Sequence, residues 1–119
     1  MIYPGAYFSI QNFTLLIFDS PALRKVNMSI QITHVHFEEF QKTEAAITNY
    51  RWRGLESGEV GESTKPDLVQ WINSGGQAFV GSGTNRVPVG VINPENGKPY
   101  LRTYADGKWT NNLVELPLF

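Results

Sequence analysis

The sequence predicts an α+β fold in which one short helix packs on a mostly antiparallel sheet of about five or six strands. Three observations carry that prediction. Residues 65–73 form the segment with both a helix start and a helix stop, β-branched and aromatic runs of period two flank it, and Gly-, Asn- and Asp-rich turns separate those runs. The order strand, strand, helix, meander is that of a helix laid over one face of a sheet.

Residues 29–37 open the regular pattern, with β-branched Ile30, Ile32, Thr33 and Val35 favouring a strand. Residues 47–53 make a second strand, in which period two puts Arg51 and Arg53 on one face and Tyr50 and Trp52 on the other. Residues 56–63, with Gly58 and Gly61, read as a loop. Thr64 and Asp67 have capping-box spacing, Pro66 is tolerated in a first turn, and Gly75 and Gly76 supply a stop. Leu68, Val69, Trp71 and Ile72 give this helix a broad apolar face, which must be buried on a sheet. Residues 77–80, 86–92 and 99–104 read as three further strands, parted by Gly81-Ser82-Gly83 and by residues 93–97. Asp106-Gly107 is a hairpin signal leading through Trp109 to an edge strand near Leu113.

A chain of 119 residues, 41% hydrophobic and 18% charged, suits one domain that folds around a single core. That domain is expected over residues 28–119. Residues 1–27 differ in character, mixing aromatic and aliphatic residues without a period, and are read as an N-terminal extension. Two readings stay open for it: an extra strand at residues 13–18, or a stretch upstream of a natural start at Met28, since residues 24–27 could be encoded by a purine-rich ribosome-binding sequence. Ten basic against eleven acidic residues give a formal net charge of -1, so no global field draws the protein to nucleic acid or anionic lipid, and any nucleic-acid contact must be local. The absence of Cys rules out thiolate chemistry and disulfides and suits the cytoplasm. The apolar run at residues 13–18 is too short to span a bilayer, and no membrane segment is expected.

Residues 100–113, Tyr-Leu-Arg-Thr-Tyr-Ala-Asp-Gly-Lys-Trp-Thr-Asn-Asn-Leu, and the closing Leu116-Pro117-Leu118-Phe119 resemble the short bacterial proteins grouped as domain of unknown function 3892. Upstream the resemblance continues through Ile32-Thr33-His34-Val35, Tyr50-Arg51-Trp52, Gly58-Glu59-Val60-Gly61, Leu68-Val69-Gln70-Trp71-Ile72 and Ala78-Phe79-Val80, covering residue 29 to the C-terminus. It implies a shared fold and brings no activity, substrate or site residue with it. Relatives often carry His just before the second strand; this chain has Glu44-Ala45-Ala46 there, a departure that weakens any family-wide metal site.

Two groups suggest binding chemistry. Arg51-Trp52-Arg53 and Tyr100-x-Arg102-x-Tyr104 set guanidinium groups beside aromatic rings, an arrangement that can clamp a phosphate while a ring stacks on a base. The alternative is that the rings are core and the Arg stems cover the sheet edge. The functional reading gains if both sets share one sheet face. Arg51, Arg53, Arg102 and Tyr104 are therefore the candidate ligand-binding residues of a small binding or adaptor domain, whose partner is a protein or a phosphate-bearing ligand.

No Gly-x-Ser-x-Gly, Walker loop or His-Glu-x-x-His occurs, so no catalytic residue, resident metal or cofactor is assigned. One enzymatic alternative is a metal-assisted hydrolase using His34, His36 and Asp106, because period two would put both imidazoles on one strand face, together with Ile30 and Ile32. A structural alternative is self-association through the edge strand near Leu113.

Overall fold

The computed structural model describes residues 28–38 and 40–119. Both readings of residues 1–27 lie outside the described residues. Among the described residues seven strands, not five or six, form one sheet in the order β3-β2-β1-β4-β5-β6-β7: β1 (Ser29–Phe37), β2 (Ile47–Gly54), β3 (Val60–Thr64), β4 (Gln77–Val80), β5 (Val87–Ile92), β6 (Tyr100–Ala105) and β7 (Lys108–Thr110). All neighbours run antiparallel except β1 and β4, which are parallel. Among the described residues one α-helix, α1 (Lys65–Asn73), connects β3 to β4 and so returns the chain to the other side of β1.

The helix begins and ends as the capping signals require. Thr64 Oγ1 accepts from the Asp67 backbone N–H, Pro66 lies in the first turn, and Gly75 beyond the end adopts a positive φ of 112°. Its inner face delivers Leu68 and Val69 to a core built with Ile30, Ile32, Val35, Ile47, Tyr50, Ala78, Val80, Val89, Leu101 and Leu113, while Trp71 and Ile72 pack at its margin. Each fully buried aliphatic side chain contributes about 1.5–3 kcal/mol of transfer free energy, so this layer is the main source of stability. It also divides the sheet into a covered face and an open one.

Two sequence expectations change here for identifiable reasons. The loop expected over residues 56–63 is half strand, because residues 60–64 turn back after Gly58, at φ 78°, and pair with β2 as the sheet edge. Leu113 is not in an edge strand. It sits in a 3-10 turn, Asn112–Glu115, and is fully buried, so the edge on that side is β7. The Asp106-Gly107 hairpin forms as expected, with both residues at positive φ (53° and 83°) between β6 and β7.

Candidate binding surface on the open sheet face

Strand register decides which side chains share the open face. In β2 the buried Tyr50, half-buried Trp52 and buried Gly54 face the core, leaving Arg51 and Arg53 exposed on the opposite side, as alternation predicts. In β6 Leu101 and Thr103 are fully buried, which puts Tyr100, Arg102 and Tyr104 at open-face positions. Following the pairing from Leu101 through Val91 and Val89 to Ala78, and on through Ile30 to Gly54, keeps core residues opposite core residues. The two Arg/aromatic sets therefore occupy positions on one face of one sheet.

The same register draws a row across that face. Val60 pairs with Arg53, Arg53 with Gln31, Gln31 with Phe79 and Phe79 with Pro88. The Val89–Thr103 pair, adjacent to Pro88 on β5 and to Tyr104 on β6, continues the row by register to Tyr104, which pairs with Trp109 on the last strand. The Tyr104 and Trp109 rings lie edge to face with centroids 5.0 Å apart, yet remain 42% and 40% exposed. Trp109 also reaches over Gly90, where a Cβ would come within 3.1 Å of the indole. Arg86, just ahead of β5, lays its guanidinium carbon 4.2 Å from the Phe79 ring centre.

Arg51 and Arg53 line a shallow groove of about 520 Å3 with Thr33, His34, Val60 and Glu62. Arg51 sets its guanidinium carbon 4.4 Å from the Phe119 ring centre, within cation–π range. Phe119 reaches this position because β4 ends opposite Ile32. Beyond that point the C-terminal segment takes over as β1's neighbour, with Val35 N–H donating to Pro117 O at 3.0 Å and Phe119 N–H to Val35 O at 3.2 Å. Arg53 donates through Nη2 to Gln31 Oε1 at 3.0 Å. Neither Arg51 nor Arg53 carries an ion pair among the described residues, although Glu62 is the cross-strand partner of Arg51.

Arg102 is used differently. Its Nε donates to Thr110 O and its Nη2 to Asn111 Oδ1, each at 3.1 Å, and Nε lies 3.9 Å from Glu44 Oε2. The Glu44 side chain is only 13% exposed and stands close enough to the core phenol of Tyr50 to act on it: burial first, and Glu44 second, push the Tyr50 hydroxyl well above its ordinary pKa. Arg102 thus ties β6 to the chain leaving β7 and to the rim of the core. The structure unites Arg51 with Arg53 in one groove and Arg53 with Tyr104 in one row, while the Arg102 guanidinium is spent on protein acceptors.

The histidines do not share a face with Ile30 and Ile32. A register shift between Ile32 and His34 in the β1–β2 pairing inserts a bulge at Thr33, so Val35 takes the next core position and both imidazoles fall on the other side. His34 Nδ1 lies 2.9 Å from Thr33 Oγ1, and His36 Nδ1 lies 2.6 Å from Phe119 O. Asp106 occupies the β6–β7 turn. Among the described residues no three His, Asp or Glu side chains converge as a metal would require. No helix of the described residues is long and apolar enough to cross a membrane.

Three members of the open face were not singled out from sequence. Phe79 was legible, since Ala78 and Val80 flank it as core residues and period two must turn it outward. Trp109 could have been placed opposite Tyr104 by counting back from the Asp-Gly turn. Phe119 had no sequence signal, because its place depends on a chain segment filling the gap where β4 stops.

A seven-stranded sheet with one helix-covered face and one open face bearing guanidinium groups among aromatic rings defines an α+β domain with an exposed platform. The chain belongs to the family described as "Protein of unknown function (DUF3892)", whose profile matches residues 31–117. No curated protein and no solved structure matches the chain.

Proposed function

We propose that this protein is a binding domain that takes a phosphate-bearing ligand on its open sheet face, with Arg51 and Arg53 as the anion-binding residues. The observation that carries this reading is the groove in which both guanidinium groups stand without an ion pair among the described residues, although Glu62 lines it too. A guanidinium donates in a planar fork matched to phosphate oxygens, and its charge is most useful to a ligand where the protein has not already neutralised it. Tyr104 supports the reading as one of the exposed aromatic members of the row that contains Arg53. Arg102 contributes by holding the β6–β7 edge in place.

Pyrophosphate and ATP, titrated separately in a thermal-shift assay, test the proposal. Binding to the folded state alone raises the melting temperature by mass action, and Arg51→Ala and Arg53→Ala should each abolish the shift while the unliganded melting temperature stays put. A shift that persists in both variants removes the groove as the site.

A further inference from the structure

We infer that the ligand is a single-stranded nucleic acid, laid across the sheet along the row from Arg53 to Trp109. The inference rests on the phosphate-binding reading above and extends it from a single anionic site to a polymer track.

The row is what a lone phosphate ligand would leave unexplained. It runs over Arg53, Gln31, Phe79, Pro88, Tyr104 and Trp109, so its apolar members are consecutive across β4, β5, β6 and β7, and its cationic member lies at the β2 end. With strands about 4.8 Å apart, the span from β2 to β7 is about 24 Å, several times the size of one phosphate group. A second cation, Arg86, is held against the Phe79 ring inside the apolar stretch. Arg51 adds a third charge two residues along β2 on the same face.

A single strand offers what this surface can use. Unpaired bases have free π faces, and each stacked base is held through a ring without regard to its identity, while the phosphates that follow it need guanidinium partners. Tyr104 and Trp109 keep exposed ring area despite packing on each other, and Phe79 is half-buried. A duplex fits poorly, because its bases are stacked internally and it could use only the charges. The net charge of -1 does not oppose this, since of the side chains placed on the open face by register only Glu62 is acidic, and Glu56, whose carboxylate is within electrostatic reach of Arg86, stands beyond the end of β2.

Fluorescence anisotropy with labelled 12-nucleotide oligothymidylate and oligouridylate, and with a 12-base-pair duplex, tests the inference. Saturable binding of the single strands, about tenfold tighter than of the duplex, is expected, with quenching of Trp109 emission. Three neutralised phosphates predict about a 20-fold loss of affinity between about 50 and about 200 mM salt, and Arg53→Ala should flatten that dependence to about sevenfold. Tyr104→Ala should weaken binding by about fivefold or more, and Tyr104→Phe should restore it, since the ring and not the hydroxyl is used. Equal affinity for duplex and single strand, or indifference to Tyr104→Ala, overturns the polymer track. If the oligonucleotides fail to bind while pyrophosphate or ATP binds through Arg51 and Arg53, the inference falls and the phosphate site stands. If neither binds, both fall and a protein partner takes their place.

Discussion

The Trp52 indole closely approaches Gly61 on the neighbouring strand, and its Nε1 donates to Ser63 Oγ at 2.9 Å. That contact joins the edge strand β3 to the core margin, where Trp52 packs. A Cβ at position 61 would fall inside van der Waals contact with the six-membered ring, so Gly61 is required for the close approach. Gly61→Ala should destabilise the protein by about 1–3 kcal/mol, as overpacking does, and should blue-shift or red-shift Trp52 emission as the ring is displaced. Chemical denaturation followed by fluorescence reads both; an unchanged midpoint would mean that the edge strand yields without strain.

Arg102 and Arg53 should separate cleanly in stability measurements. Removing the Arg102 guanidinium strips donors from Thr110 O and Asn111 Oδ1 and leaves the Glu44 carboxylate, largely out of solvent, without its cation. Arg102→Ala is expected to lose about 1–3 kcal/mol. Arg53 makes one exposed hydrogen bond, to Gln31, and Arg53→Ala should stay within about 0.5 kcal/mol of the parent. Urea denaturation of the pair decides whether Arg102 is chiefly a tie within the fold.

Much of this architecture was legible because local signals and burial agreed. The helix bounds follow from Thr64, Pro66 and Gly75, and the split of β2 into Tyr50/Trp52 and Arg51/Arg53 faces follows from period two alone. The failures share a cause: each depended on a partner distant in sequence. Val60–Thr64 is polar and glycine-containing, and becomes a strand only because β2 offers it a ladder. The bulge at Thr33 exists only in the β1–β2 pairing, and it moved His34 and His36 off the face that simple alternation gives them. Arg102 matched its expected face, but the acceptors that occupy its guanidinium come from residues eight and nine positions on, past a hairpin, and from Glu44.

Tyr50 brings an unusual feature into the core. Its ring is fully buried, and its hydroxyl and Glu44 Oε2 both lack a hydrogen-bond partner among the described residues. An unsatisfied buried hydroxyl carries a desolvation penalty that removing it relieves. Tyr50→Phe should therefore hold stability level or raise it by about 1 kcal/mol, measured by thermal and urea unfolding. A loss of that size would show instead that the phenol reaches Glu44 through a bound water.

Glu56 should make the fold sensitive to acid. Its carboxylate accepts from Ser29 N–H at 2.9 Å and from Ser29 Oγ at 2.5 Å, clasping the β2–β3 turn to the first residue of β1. Partial burial pushes its pKa up, but the Ser29 hydrogen bonds, assisted by Arg86, outweigh this and hold it below the usual carboxylate value. A carboxylate whose pKa is depressed on folding contributes stability that is fully present above the unfolded pKa, about 4.3, and is lost as pH falls through the lower folded value. The melting-temperature difference between the parent and Glu56→Gln should thus be constant from about pH 7 to about pH 5.5 and shrink toward zero on further acidification. A difference that stays constant down to pH 3 would show that the Ser29 clasp does not depend on the carboxylate charge.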